Sequence, residues 1–266
     1  MQELTCDNCQ DIHLTNPVNT GGPEIKIMII GPYINSIAII VGAIGGSLLS
    51  PWIPRRLHEG MPLMFGICSM AMSVILIMDT INMPVIVLAG ILGALTGELV
   101  SLEKKINNIA TKAKNCIESI LPKPRGDITN EEFLNIFVAL IILFGASGTG
   151  IVGAMNEGMN GNSSVLITKA FMDFFCAILF ATRLGFSIII LFIPQLVIQL
   201  ILAYSAVLLL PLTTTSMRAD FYAVGGMVMM ATGLRICGIK MFPVANMLPA
   251  LLWAMPLSWI WNYISN

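Results

Sequence analysis

The sequence predicts an all-α, polytopic membrane helix bundle of about eight transmembrane helices, and three observations carry that prediction. Hydrophobic residues make up 56% of the 266-residue chain and charged residues only 11%, against about 25% charged in a soluble domain. The charges gather from Arg55 to Glu59, from Glu103 to Glu132 and in the first 26 residues, with long apolar runs between them. Several of these runs reach the roughly 20 apolar residues that cross about 30 Å of hydrocarbon. With 14 basic and 15 acidic residues, no basic tract points to nucleic acid, and the lipid bilayer is the first partner the composition calls for.

Residues 1–27 are polar and contain Asn16-Pro17 and Gly21-Gly22-Pro23, which break regular structure. They have no basic segment leading into an apolar core, so they do not read as a signal peptide. They read as a poorly ordered tail, or as sequence upstream of a natural start at Met28. The rest, 28–266, reads as one transmembrane domain. Its spans are predicted at 28–50, 61–79, 83–101, 132–154, 164–183, 185–210, 221–238 and 242–264. Residues 102–130 separate the third span from the fourth. Within them Ile106, Ile109, Ala110, Ala113, Ile117 and Ile120 make one apolar face over 102–121, the pattern of an amphipathic helix lying on a membrane surface.

Loop charge sets the expected orientation. Arg55 and Arg56 follow the first span, and Lys104, Lys105, Lys112, Lys114, Lys123 and Arg125 follow the third. These loops share a face, assigned to the cytoplasm of a plasma (inner) membrane. Arg183 and Lys240 fall on the same side and Arg218 dissents. Eight spans put both termini outside.

The last third of the chain echoes the first. At a shift of 160, Leu48-Leu49 meets Leu208-Leu209, Pro51 meets Pro211, Gly66 meets Gly226, and Met70-Ala71 meets Met230-Ala231. At a shift of 159, Pro84-Val85 meets Pro243-Val244 and Leu92 meets Leu251. Repeat one would be 28–101 and repeat two 185–264, flanking central helices in 132–183. Counting crossings gives the repeats opposite topology, the basis of alternating access in many transporters.

Polar residues inside the spans nominate a site. A charge at a helix centre costs about 2.5–3.5 kcal/mol on insertion scales, so one that persists faces a cavity or a partner. Lys169 and Asp173 are four apart on one helical face and can pair, either as glue or as part of a pathway. The run Gly145-Ala146-Ser147-Gly148-Thr149-Gly150 weakens the fourth span. Irregular backbone at that depth must be enclosed or line a cavity. Asn35 and Asn246, with Gln195 and Gln199, fit either interhelical hydrogen bonds or a lined cavity. Glu98 and Arg235 lie near the cytoplasmic interface, where snorkelling is the simpler reading. Glu157 and Asp220 lie near the outer face, where they could recruit a cation. Gly42-x-x-x-Gly46 and Gly93-x-x-x-Gly97 read as close helix packing, as do Met227, Met229 and Met230. Pro32 and Pro194, near the starts of spans one and six, mark breaks or kinks.

No metal or cofactor is expected. Cys6 and Cys9 with His13 have a ligand spacing but no second pair. Cys68, Cys176 and Cys237 lie in apolar helices. His58 is the only other histidine, and no catalytic or phosphate-binding motif is present, so an enzyme is not expected.

Several stretches resemble the YqgA-like family of bacterial inner-membrane proteins, domain of unknown function 554. They are Gly31-Pro32-Tyr33-Ile34-Asn35, Gly97-Glu98 with Leu102-Glu103-Lys104, Ala146 through Gly150, Gly153 through Gly158, Asp173-Phe174-Phe175, and Ala231 through Met247. The resemblance covers nearly all of 28–264 and implies a multi-spanning plasma-membrane protein of a kind sometimes described as a transporter. It implies no substrate and no catalytic residue. The expected function is therefore a secondary transporter or channel for a small solute or ion. The alternatives are a membrane partner subunit or sensor, and a membrane enzyme acting on a lipid-linked substrate. A homo-oligomer stays open.

Overall fold

A computed structural model of the chain describes residues 28–54, 56–109, 130–145 and 147–265. Everything described is helix or connection, without a strand. The helices are α1 (Gly31–Leu49), α2 (Arg56–Met78), α3 (Met83–Val100), α4 (Asn130–Gly145), α5 (Gly148–Asn160), α6 (Ser164–Leu184), α7 (Phe192–Leu209), α8 (Thr215–Ile236), α9 (Val244–Met247) and α10 (Pro249–Ser265). Residues 102–109 are also helical. The tail, with Cys6, Cys9 and His13, lies outside the described residues, as does 110–129 of the cytoplasmic segment.

Local chemistry sets the boundaries. Thr214 caps α8 by accepting from the Met217 N–H at 3.3 Å. Gly161 and Gly185 end α5 and α6 at φ of +68° and +61°, a conformation that a β-carbon would strain. Pro32 sits in the first turn of α1, where a missing N–H costs nothing, and marks a helix start. Pro194 is the third residue of α7 and follows the change from 3₁₀ to α-helix at Leu191–Phe192. The predicted sixth span does not begin as an α-helix: Gly185–Leu191 is 3₁₀.

Close approaches give the packing directions. Gly31 faces Leu166, Gly42 faces Phe174 and Ala177, and Gly46 faces Ile178, so α1 runs parallel to α6. Gly150 beside Lys169 and Gly153 beside Leu166 make α5 antiparallel to α6. Gly150 near Gln199 and Gly158 against Ala203 make it parallel to α7. α2 and α8 cross antiparallel through Gly66–Gly233 and Ser73–Gly226, and α3 runs antiparallel to α9 and α10 through Gly97–Asn246 and Gly93–Ala250. The two predicted small-residue motifs are thus packing seams. The backbone approach is closest at Gly97, where an added β-carbon would lie 1.9 Å from the Asn246 carbonyl oxygen.

Six stretches are long and apolar enough to cross a membrane: Gly31–Trp52, Gly60–Met78, Met83–Val100, Ala139–Asn160, Ser164–Leu212 and Val244–Ser265. The Ser164–Leu212 stretch is 49 residues long and holds both α6 and α7. The region of the predicted seventh span is α8, which is not one of the six. It is enclosed by α2, α3, α5 and α10, so it presents little surface to lipid and does not need a uniformly apolar sequence. The Ala139–Asn160 stretch is likewise internal, at 69% buried against 28–39% for the other five. Around this interior, α1, α3, α7 and α10 expose large apolar side chains such as Ile37, Val41, Ile91, Leu95, Ile201 and Leu252, as helices in lipid must.

Candidate functional site

The centre of the bundle is a break in its most enclosed stretch. α4 stops at Gly145 and α5 starts at Gly148. The glycine run therefore does not unwind throughout: helix resumes at Gly148, and Ser147, in extended conformation, caps it by accepting from the Gly150 N–H at 3.1 Å. Ala146 lies outside the described residues. Helix α5 leads away from this point, so its first turn, Gly148 to Gly150, lies inside the protein.

Lys169 and Asp173 meet that turn. Asp173 is the tenth residue of the 21-residue α6, far from either end. Its carboxylate is ion-paired with Lys169 and accepts a 3.1 Å hydrogen bond from Gln195 Nε2. The Lys169 ammonium lies 5.7 Å from the centre of the Phe144 ring. Lys169 Cε, Ser147 Oγ and Gln199 Nε2 all crowd the place where Gly150 would carry a β-carbon, at 2.9, 3.0 and 3.4 Å. A β-carbon there would have to displace the end of the Lys169 side chain and crowd the Ser147 hydroxyl.

A cavity of about 100 Å³ opens beside this cluster. Its polar lining is Ser147, Thr149, Lys169 and Asp173, with the Cys176 thiol; Phe65, Leu143, Met172 and Phe180 are among its apolar walls. Thr149 lies 3.4 Å from the Ser69 hydroxyl, which in turn donates to the Met229 carbonyl at 3.1 Å. Around the ion pair, five buried amide atoms have no hydrogen-bond partner: Asn35 Nδ2 and Oδ1, Gln195 Oε1, and Gln199 Nε2 and Oε1. Asn35 neighbours the Asp173 carboxylate. Each orphan of this kind costs about 1–3 kcal/mol, so a cluster of them marks a place built for something other than packing.

The sequence-nominated residues therefore divide. Asn35, Gly145, Ser147, Gly148, Thr149, Gly150, Lys169 and Asp173 lie around this centre. Asn246 does not. It donates to Glu98 Oε2 at 2.6 Å and accepts from the Glu103 N–H at 2.7 Å, at the end of α3 away from Asn82. Arg235 joins it there, bonded to Glu103 at 2.8 Å and to the Phe242 carbonyl at 3.1 Å. These four residues fasten α3, the start of helix 102–109 and the segment before α9.

Glu157 and Asp220 are also elsewhere, and neither is placed to recruit a cation from solvent, because both are fully buried. Glu157 accepts from the Ile30 and Gly31 N–H groups at 2.8 Å, holding the start of α1. Asp220 accepts from the Asn82 N–H and side-chain amide at 2.9 Å and from Ser258 Oγ at 2.6 Å, holding the start of α3. A carboxylate at a helix N-terminus satisfies unpaired N–H groups and the helix dipole together. Gln195 and Gln199, which the sequence offered for either interhelical hydrogen bonds or a lined cavity, also enter the centre. Their spacing of four on one face of α7 matches that of Lys169 and Asp173 on α6, a signal that was readable. Among the described residues, no group of three His, Cys, Asp or Glu side chains could hold a metal ion.

Comparisons with known proteins agree with this architecture. The model of the family described as "Protein of unknown function (DUF554)" matches residues 30–259. "Uncharacterized protein YqgA" of Escherichia coli (strain K12) is 53% identical over 235 residues, spanning 88% of this chain and 98% of its own. "Uncharacterized membrane protein YdfK" of Bacillus subtilis (strain 168) is 24% identical over 230 residues, spanning 84% and 92%. No solved structure matches. A match that runs from the first residues of α1 into α10 takes in every helix of the bundle and its broken centre, and the chain belongs to the DUF554 family.

Proposed function

We propose that this protein is a secondary transporter or channel for a small solute or ion, which binds at the Lys169–Asp173 centre. The observation that carries the proposal is the break between α4, which ends at Gly145, and α5, which Ser147 caps and Gly148 begins. It lies within the most enclosed apolar stretch and directly beside a buried ion pair, unpaired amides and a cavity. Discontinuous helices of this kind form substrate sites near the midplane of many transporters.

We propose an inverted repeat as part of the same reading. The Ser69–Met229 hydrogen bond joins residues 160 apart, the shift at which the last third of the sequence echoes the first. Under that shift the Gly66–Gly233 contact exchanges with Ser73–Gly226. Asn35 exchanges with Gln195, and both neighbour Asp173 from oppositely directed helices. The 3₁₀ turns Ser50–Trp52 and Leu210–Leu212 are related in the same way.

The orientation we propose puts the end bearing Arg56, Lys104, Lys105, Arg183, Arg235 and Lys240 in the cytoplasm of a plasma membrane, with both chain ends outside. With the native cysteines replaced by serine, a Lys105→Cys variant should then be labelled by an impermeant thiol reagent only after cells are opened, and Thr213→Cys from outside. The reverse pattern would invert the assignment. Transport is favoured over catalysis because the polar clusters at the two ends of the bundle are occupied as helix anchors, whereas the central one holds unpaired groups.

In proteoliposomes screened against ions, amino acids and organic acids, Asp173→Asn should abolish uptake of whichever solute the unaltered protein carries while the protein stays inserted. Normal uptake by that variant would remove the charge pair from the mechanism.

A further inference from the structure

We propose that this site takes a short monocarboxylate anion, held at the first turn of α5 beside Lys169, and that the anion crosses together with one proton carried on Asp173. The proposal rests on the transport reading and names its substrate class and coupling ion.

The anion follows from the donors that converge. The first turn of α5 points the positive end of its dipole at the break. Beside it stand the Lys169 ammonium, the hydroxyls of Ser147 and Thr149, and Gln199. The Gln199 side chain is 1% exposed and has no hydrogen-bond partner, so its amide donor awaits an acceptor the protein does not supply. One lysine matches one negative charge. The remaining walls, Phe65, Leu143, Met172 and Phe180 among them, are apolar and suit a short alkyl body better than the oxygen shell of phosphate or sulfate. A volume of about 100 Å³ accommodates a body of a few carbons.

The proton follows from charge balance. Empty, the centre is neutral, with Lys169 paired to Asp173. A bound anion takes over Lys169 and leaves Asp173 as an unpaired buried carboxylate, which a low-dielectric interior strongly disfavours. One proton on Asp173 restores neutrality. The protonated carboxyl then needs an acceptor, and the Gln195 amide, whose Nε2 meets Asp173 and whose Oε1 is buried and unpartnered, supplies one by turning over. The other ionisable groups facing Asp173 are Lys169 and the Cys176 thiol, both on α6. From α1 and α7 come only amides, from α5 the Thr149 hydroxyl, and from the described lining of α2, α4 and α8 only Pro62, Phe65, Leu143 and Ile236. On release of the anion, Asp173 returns its proton to the same side and re-pairs with Lys169, so no net charge moves.

The test uses the full chain in liposomes loaded with a pH-sensitive dye, with L-lactate or pyruvate added outside. The lumen should acidify at least about tenfold faster than in protein-free vesicles, at a rate unaffected by an imposed membrane potential, since an electroneutral cycle does no electrical work. Lys169→Met should abolish the signal. Gln199→Met is the second variant, because removing an unpartnered buried amide leaves the melting temperature unchanged or raises it. Loss of one hydrogen bond to a charged ligand should raise its half-saturating lactate concentration about tenfold or more. If Gln199→Met leaves that concentration unchanged, or if lactate entry builds a membrane potential, the proposal is overturned. Uptake of a cation or amino acid but not of lactate or pyruvate would overturn it while leaving the transport reading intact. No uptake across the whole panel would overturn both.

Discussion

Removing either member of the Lys169–Asp173 pair should destabilise the bundle far more than removing both. The two side chains are 3% and 11% exposed, and the surroundings offer amides but no second charge. An ion pair this enclosed costs about 3–5 kcal/mol when one partner is deleted, because the survivor stays desolvated and unpaired; replacing both by neutral groups of similar size is close to neutral. The expected cycle is therefore a loss of about 3–5 kcal/mol for Lys169→Met, a similar loss for Asp173→Asn, and near-native stability for the double variant. The cost falls on packing inside the bundle and not on insertion, which the long apolar runs govern. Reversible unfolding by SDS in mixed micelles, followed by tryptophan fluorescence, measures each corner. A coupling below about 1 kcal/mol, the range of solvated pairs, would refute the low-dielectric reasoning and imply a water-filled centre. Transport separates the two roles considered for the pair. A double variant that regains stability but carries nothing assigns the charges to the pathway, whereas one that transports normally assigns them to glue.

Two further predictions concern what holds the site in place. Gly97→Ala should cost about 1–3 kcal/mol by overpacking, since its β-carbon would meet the Asn246 carbonyl oxygen at 1.9 Å. Gly45→Ala has nothing within 4 Å and should be neutral or stabilising by up to about 1 kcal/mol; equal effects in the same unfolding assay would contradict the α3–α9 seam. Glu157→Gln should cost about 1.5–3 kcal/mol, the worth of a hydrogen bond to a charged group. It should also speed amide exchange at Ile30 to Ile34 without changing the start of α3, which Asp220 holds. Uniform exchange across both helix starts would count against a local anchor.

Composition and periodicity decided that the chain is a membrane bundle, because an interior of lipid demands long apolar helices and leaves few alternatives. The same patterns placed Lys169 and Asp173 on one face and put a weak point at 145–150, since helical spacing and glycine content act locally. They also marked Gly42, Gly46, Gly93 and Gly97 as seams. Hydropathy could not separate a helix that faces lipid from one that faces protein. It therefore ranked α8 with the other spans, although α8 is enclosed by its neighbours and escapes the demand for apolar sequence. Nor could it tell which polar residue meets which. Asn246 and Asn35 look alike as buried amides, yet one is consumed by Glu98 and the Glu103 N–H while the other is left unpaired beside Asp173. Glu157 and Asp220 read as acids near an outer face that could recruit a cation, and only the fold turns them inward onto the starts of α1 and α3. Hydrogen-bond satisfaction depends on contacts between residues more than a hundred positions apart, so the division between anchor and site was decided by tertiary structure.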